Sequence, residues 1–493
     1  MLRHSIRALS RSPCLLRGPT AISGRLASVR NLTLESNSDV KIPLVDLLRE
    51  RGLVSNITSE SLKQVAEDKK ITLYCGADPS AISLHVGNLI PLLILLHFYV
   101  RGHNVLALVG GATGEVGDPS GRSTERSQMD SAVRTNNMVH IREQLATFLD
   151  RGRAYAETRG YSKGLGTAST RNNHDWWKDV NMLRFLATYG RHIRVGQMLA
   201  RDSVKNRMES EQGIGFNEFT YQILQAYDFW HLHSQEGCSL QVGGNDQWGN
   251  ITAGIDMISR LRAEYSRTGR AAEIPKVAEG ADAAYGITVP LLTTPSGEKF
   301  GKSAGNAIWI NSELTKPYEL YQYFVRAPDS VVENYLKMFT LLPLEHIEVT
   351  MEEHRKDESR RTAQKLLAEE ITDLVHGLGA GNRAKIMSAV MFPSAAEGET
   401  VAAAEVLQVF RAEKMLVSLK KDEVVGAQWR DIIASLTKKS KSEISRLIKG
   451  GGVYHGLTRT QVAPGLIKEA DLVEGTLFLL RVGKSSYFVA EVV

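Results

Sequence analysis

Cysteine is scarce: Cys14, Cys75 and Cys238 are the only three in 493 residues, and none lies at a CxxC or Cys/His metal spacing. Three cysteines cannot build a disulfide framework, so a reducing compartment is the default. Long apolar runs are missing too. The longest, Leu89–Val100, contains His97 and falls well short of the ~20 residues of a membrane span; it reads as a buried helix. Acidic residues are absent before Glu35. That opening stretch carries Arg3, Arg7, Arg11, Arg17, Arg25 and Arg30 with serines between them, and Leu2, Ile6 and Leu9 recur at helical spacing. An acid-free, Arg- and Ser-rich, amphipathic N-terminus reads as an organelle-targeting presequence over residues 1–35. The other reading is a basic arm that touches nucleic acid.

The net charge of the chain is +5. Taking away the six presequence arginines leaves −1, so a nucleic-acid partner must be argued from local patches rather than from overall charge. The length allows about three domains at ~150 residues each. Short β-prone runs stand at 71–75, 105–109, 239–242 and 287–292, with helical patterns over 84–100 and 219–232. That order predicts an α/β fold with a parallel sheet. Gly76, Gly110-Gly111 and Gly243-Gly244 follow three of the strands, at the carboxyl ends where such sheets hold ligands. Residues 150–172 read as a glycine- and basic-rich loop and 267–284 as a surface insertion. Helical periodicity dominates from 318 to 392, and the PSAAEGET stretch at 393–400 reads as a linker.

Four elements carry chemistry. Residues 78–88, DPSAISLHVGN, leave a strand and enter a helix, with His85 and Asn88 three apart on its first turn. A helix N-terminus attracts phosphate, and Gly87 leaves room for a nucleotide. Alone, this element is better read as a capped helix with a satisfied histidine. The KFGKS segment at 299–303 sits in a glycine-rich stretch; Lys299 and Lys302 suit a pyrophosphate that gains charge as it leaves, or an ordinary solvated loop. Tyr221, Gln225 and Asp228 fall at i, i+4 and i+7, on one face of one helix, where they could grip both ends of an amino acid. Lys438, Lys439, Lys441, Arg446 and Lys449 precede a glycine turn and a strand. They form either a phosphate-tracking patch or a solvated helix face.

The HVGN element, followed about 210 residues later by KFGKS, resembles the HxGH and KMSKS signatures of class I aminoacyl-tRNA synthetases. The segments LYCGAD (73–78), LVGGATGEVGDPSG (108–121), NNHDW (172–176), YQILQAYD (221–228) and QVGGNDQWGNI (241–251) resemble the bacterial-type tyrosyl members of that class. The likeness runs from about residue 40 to the C-terminus. It implies a Rossmann-type parallel-sheet catalytic domain over 36–285. The KFGKS loop and an α-helical anticodon-binding domain would follow over 286–392, then a linker at 393–401 and a small α+β C-terminal RNA-binding domain over 402–493. The last resembles a domain shared with a ribosomal small-subunit protein.

The resemblance also implies the chemistry: tyrosine activated with ATP, then transferred to its tRNA by a homodimer in the mitochondrial matrix. Mg²⁺ would accompany ATP, with no prosthetic group, no metal site of the protein's own and no membrane contact. Tyr74 and Asp228 match the pair that bonds the substrate phenol. Tyr221, Gln225 and Asp118 match the ammonium site, with Asn173 and Gln247 as polar neighbours. Cys75, Gly76, Gly244 and Asp246 match ribose and adenosine contacts, and Asp78 lies beside them. Ser80, His85, Gly87 and Asn88 match the phosphate contacts. Arg122, with Arg126 nearby, stands near the pyrophosphate, and Lys299, Lys302 and Ser303 form the mobile loop. Two departures are visible: Asn88, uncharged, replaces the second histidine, and KFGKS replaces KMSKS. Asp228 with Tyr74 opposes a tryptophanyl enzyme. Group I intron RNA stays open as a second partner.

Overall fold

The first sheet is built from β1 (Asn56–Ile57), β2 (Thr72–Ala77), β3 (Asn104–Val109), β4 (Ala168–Asn172), β5 (Cys238–Gly244) and β6 (Tyr285–Val289). These come from a computed structural model that describes residues 37–120, 124, 129–161, 164–209, 213–277, 281–291, 307–392, 401–483 and 486–493. The presequence, Arg122, Arg126, Lys299, Lys302, Ser303 and the 393–400 stretch lie outside the described residues. Strand order is β1-β6-β5-β2-β3-β4. The five strands from β6 to β4 run parallel, and β1 pairs antiparallel with β6.

Helix α1 (Leu89–Val100) joins β2 to β3, and α2 (Ser131–Thr158) joins β3 to β4. Helix α3 (Phe216–Glu236) then returns the chain to β5, on the other side of β2, and α4 (Trp248–Arg267) leads on to β6. The direction of winding therefore reverses between β2 and β5. Their carboxyl ends open a crevice there, which is where open α/β sheets bind ligands.

The expected α/β fold is present, and its layers follow from the side chains. Helix α1 is apolar all round and buried almost throughout, as a helix between sheet and solvent-side layers must be. Burial also pushes the His97 imidazole well below its ordinary pKa, so it sits there uncharged. Alternation along β2 splits its side chains between two cores. Leu73 and Cys75 join the cluster with α1 and α2, while Tyr74 joins Leu106 and Leu108 against α3 and α4.

Three readings are corrected. Residues 150–158 are the last turns of α2 rather than loop, because Gly152, Tyr155 and Ala156 are buried there. Residues 168–172 form edge strand β4, held by main-chain pairing with β3 although its ASTRN sequence is polar. A catalytic boundary at 285 would cut β6, which pairs through Val289. Within the 267–284 stretch, Arg267 ends α4, a short 3₁₀ turn spans Ala271–Glu273, and Ile274 and Ala284 are buried.

Beyond the first sheet come α5 (Pro317–Val325), α6 (Asp329–Phe339), α7 (Leu344–Lys356), α8 (Thr362–His376) and α9 (Ala380–Met391). Two buried ion pairs lock this helical unit to the sheet unit. Arg159, the C-cap of α2, donates from Nε (2.8 Å) and Nη2 (2.5 Å) to Glu370 on α8. Tyr155 Oη adds a third donor at 2.5 Å. Arg51 donates to Asp39 and to the carbonyls of Lys337, Thr340 and Leu342.

The C-terminal unit adds α10 (Ala403–Ala412), β7 (Leu416–Leu419), α11 (Trp429–Thr437), α12 (Lys441–Lys449), β8 (Val453–His455), β9 (Thr460–Gln461), β10 (Leu477–Val482) and β11 (Ser486–Val492). Its five-stranded sheet is ordered β7-β11-β10-β8-β9.

Candidate active site

The crevice between β2 and β5 is lined from α3. Tyr221, Gln225 and Asp228 do share one face of that helix, and β2 presents Tyr74 toward it, with its ring centroid 5.4 Å from that of Phe229. Asp228 is buried and accepts three hydrogen bonds. Oδ1 takes the indole N–H groups of Trp176 (2.8 Å) and Trp177 (2.7 Å), and Oδ2 takes the Asn173 amide (3.0 Å). An ionised carboxylate offers about four acceptor positions, so one remains. The Tyr74 hydroxyl is buried beside it with no hydrogen-bond partner in the structure. Burial, and then the Asp228 charge, hold that phenol well above its ordinary pKa. A buried donor without an acceptor costs ~1–3 kcal/mol. The pair therefore calls for a ligand group that accepts from Tyr74 and donates to Asp228, and a hydroxyl does both.

Burial pushes the Asp228 carboxyl up to about 7, against the pull of its three N–H donors, with Asp78 adding a further push. Protonation puts an O–H donor where the ionised form offers an acceptor, and removes the charge that strengthens a hydrogen bond from a hydroxyl. Hence the affinity of this pocket for a ligand hydroxyl should fall as pH drops through about 7 and level off above it. A binding profile for a phenol-bearing ligand that stays flat from about pH 6 to 8 would contradict this.

The opposite end of the pocket is acidic. Tyr221 Oη donates to Asp78 Oδ2 (2.8 Å), and Thr113 Oγ1 donates to Asp78 Oδ1 (2.9 Å). Gln247 Nε2 donates to Asp118 (2.6 Å), and Gln225 Nε2 donates to Gln247 Oε1 (3.2 Å). Asn250 also donates to that oxygen at 3.1 Å. After burial, the charges of Asp78, Asp118 and Asp228 are what raise the Tyr221 phenol far above its usual pKa. Neither Asp118 nor Asp228 forms a salt bridge among the described residues. Arg201, whose charge is felt at Asp118, donates from its guanidinium to Asn250 Oδ1 and the Gly249 carbonyl. Carboxylates gathered in this way suit a bound ammonium. Gly110 is required here, since a Cβ on it would stand 1.9 Å from Asp78 Oδ1.

The turn expected to meet phosphates is a capped helix start. His85 is the N-cap of the 3₁₀ turn Val86–Asn88 that leads into α1. Its Nδ1 accepts from Gly87 N–H, and Asn88 Oδ1 accepts from His85 N–H, both at 3.0 Å. His85 thus precedes the first turn instead of sitting on it, and Asn88 uses its oxygen within the cap. Residues after KFGKS are tied to this point. Val86 N–H donates to the Ile308 carbonyl and Ile310 N–H to the Leu84 carbonyl, each at 3.0 Å.

Gly76 and Gly244 end the two central strands, and Asp246 and Ser80 are exposed at the mouth. The Cys75 side chain belongs to the core, with its thiol pushed up to about 12 by burial.

Several residues in this arrangement had escaped the sequence reading. Trp176 and Trp177 bind Asp228, Thr113 bridges Asp78 and Asn173, and Gln144 on α2 accepts from Leu84 N–H (2.9 Å) and donates to the Ile82 carbonyl (3.1 Å). Trp176 lay inside the quoted NNHDW segment; nothing in the sequence flags Gln144.

The model for class I tRNA synthetases of the tryptophan and tyrosine type matches residues 66–392. The chain belongs to that family. The mitochondrial tyrosine–tRNA ligase of Saccharomyces cerevisiae is 43% identical over 466 residues, covering 93% of this chain and 90% of the relative. The tyrosine–tRNA ligase of Bacillus caldotenax is 38% identical, covering 90% of this chain and 99% of its own. Among solved structures, a C-terminally truncated mitochondrial tyrosyl-tRNA synthetase from Aspergillus nidulans matches at TM-score 0.65 and 39% identity, covering 71% of this chain and 95% of that one. Synthetases of this class take ATP as substrate, which agrees with the capped turn expected to meet phosphates. In this synthetase the pocket has two chemically distinct ends: an unpartnered hydroxyl beside a carboxylate at Tyr74 and Asp228, and an acidic end at Asp78 and Asp118.

Away from the pocket, the basic C-terminal residues are all exposed. Arg446 and Lys449 lie on the last turn of α12, opposite buried Ile444 and Ile448. Lys438 is the left-handed C-cap of α11, so it and Lys439 precede α12 rather than extend it. Lys439 and Lys441 pair with Glu443 and Asp431.

Proposed function

We propose that the protein is a tyrosine–tRNA ligase. The observation that carries this is a buried Tyr74 hydroxyl without a hydrogen-bond partner, close enough to Asp228 to feel its charge, beside a carboxylate with one acceptor position left. A phenolic OH satisfies both groups. Phenylalanine leaves both unpaired, and tryptophan's indole donates but cannot accept from Tyr74. The substrate ammonium lies against Asp78, Asp118 and Tyr221, with Gln225 and Gln247 alongside, which points its carboxylate toward the mouth at Gly76 and Gly244.

The carboxylate attacks the α-phosphorus of ATP, forming tyrosyl-adenylate and expelling pyrophosphate. A ribose hydroxyl at the 3′ end of tRNA then attacks the tyrosyl carbonyl, and AMP leaves. No enzyme nucleophile is needed, so catalysis is positioning and charge stabilisation. His85, Asn88 and Ser80 meet the phosphates at the capped turn, Asp246 and the main chain at Cys75 lie by the nucleoside, and Lys299, Lys302 and Arg122 neutralise the departing pyrophosphate. Mg²⁺ arrives bound to ATP as part of the substrate.

The helices of 317–391 take the anticodon arm. Arg446 and Lys449, with Lys438, Lys439 and Lys441 beside them, track tRNA phosphates. A homodimer is supported by an apolar strip over 182–216, where Met182, Leu183, Val195, Met208 and Phe216 are all exposed, Phe216 to 73%. The relatives' mitochondrial address and the acid-free N-terminus support a place in the mitochondrial matrix.

The test is ATP–pyrophosphate exchange by the full-length chain with tyrosine, phenylalanine or tryptophan. Exchange with tyrosine alone is expected. Exchange with tryptophan, or none with any amino acid from folded protein, would overturn the reading.

A further inference from the structure

The short helix His174–Trp177 does something unusual with its last two residues. Adjacent side chains on a helix diverge by about 100°, yet Trp176 and Trp177 both bring an indole N–H to the same oxygen, Asp228 Oδ1. Each ring is held by a different neighbour. Trp176 stacks on His231, with centroids 4.4 Å apart and planes 17° apart. Trp177 meets Phe185 at 5.3 Å and Tyr227 edge-on at 4.8 Å. Rings locked by packing keep their N–H groups aimed. The torsion that orients a carboxylate is soft by itself, so these donors decide which way Asp228 faces.

We propose that Trp177 is a positioning residue for tyrosine specificity, its indole N–H filling the second acceptor position of Asp228 Oδ1 so that only Oδ2 is left to take the substrate phenol. The proposal rests on the tyrosine-activating reading. With Trp176 and Trp177 both donating, Oδ1 is saturated; Oδ2 keeps one position beyond Asn173. Without the Trp177 donor, Oδ1 regains an open position, and the carboxylate no longer has one orientation to offer. The same N–H stabilises the charged form of Asp228. The other groups facing that carboxylate are Asp78, Tyr74, Tyr221 and Tyr227, and His231 lies behind Trp176. None of them replaces the lost donor.

Two substitutions remove the N–H: Trp177→Phe, which keeps an aromatic ring but a smaller one, and replacement of Trp177 by benzothienylalanine, which keeps the bicyclic ring with sulfur in place of the nitrogen. In pyrophosphate exchange each should lower kcat/KM for tyrosine by roughly tenfold. The loss should fall mainly in KM, because the phenol contact is the same in ground and transition states. The acid limb of the pH profile should move to higher pH, preference for tyrosine over phenylalanine should narrow, and KM for ATP should stay unchanged. A packing role alone would leave the acid limb where it is. If either folded variant keeps the wild-type kcat/KM and acid limb, the proposal is overturned. If the wild-type chain fails to activate tyrosine at all, it is the functional reading that falls.

Discussion

Asp228→Asn should lower kcat/KM for tyrosine by roughly 10²–10³-fold in pyrophosphate exchange, with KM for ATP close to the wild-type value. The substitution is nearly isosteric but reverses the chemistry. Trp176, Trp177 and Asn173 all donate to this side chain, and an amide has one oxygen where the carboxylate has two. Its NH₂ must then face an N–H donor or the substrate phenol, and some buried donor goes unpaired. The lost charge also weakens what remains, because hydrogen bonds to an ionised acceptor contribute about 1.5–3 kcal/mol, more than neutral ones. Steady-state kinetics in tyrosine at saturating ATP would show it. A loss smaller than about tenfold would mean that Asp228 is not the group that reads the phenol.

Glu370→Ala should destabilise the protein by about 3–5 kcal/mol, the usual cost of stripping one partner from a buried ion pair. Both side chains are almost fully enclosed, at 7% and 4% exposure. Removing Glu370 leaves the Arg159 guanidinium buried without its counter-ion and the Tyr155 hydroxyl without its acceptor. The double replacement Arg159→Met with Glu370→Leu should recover much of the loss, since no charge is then stranded. Recovery stays incomplete because Tyr155 still lacks an acceptor. Urea unfolding of the three proteins, followed by fluorescence and circular dichroism, gives the comparison. A single variant no less stable than the double would show that the pair does not lock the sheet unit to the helices.

How the fold and site were legible differs by element. Strands β2, β3, β5 and β6 are apolar enough on both faces to announce themselves, and glycines mark where three of them end. Edge strand β4 did not, because its ASTRN residues are polar and it is held by main-chain bonds to β3. The end of α2 looked like loop because its buried face rests on Gly152 and Ala156, small residues with weak hydrophobic signal. Spacing predicted that Tyr221, Gln225 and Asp228 share a helix face, since helical geometry converts i, i+4 and i+7 directly into proximity. The cap at His85 was misplaced by a single residue, within the ordinary uncertainty of a helix end.

Sequence alone determined the family, the parallel order of strands and helices, and the polar residues on α3, because each of these depends on local periodicity or on motifs continuous in the chain. Only tertiary structure decided what those residues are bonded to. The partners of Asp228 come from a segment about 50 residues away, Tyr74 reaches it from β2, and Gln144 supports the phosphate turn from the middle of α2. Which donor fills which lone pair depends on side chains that converge only after the sheet has wound in both directions from β2, and no spacing along the chain encodes that convergence.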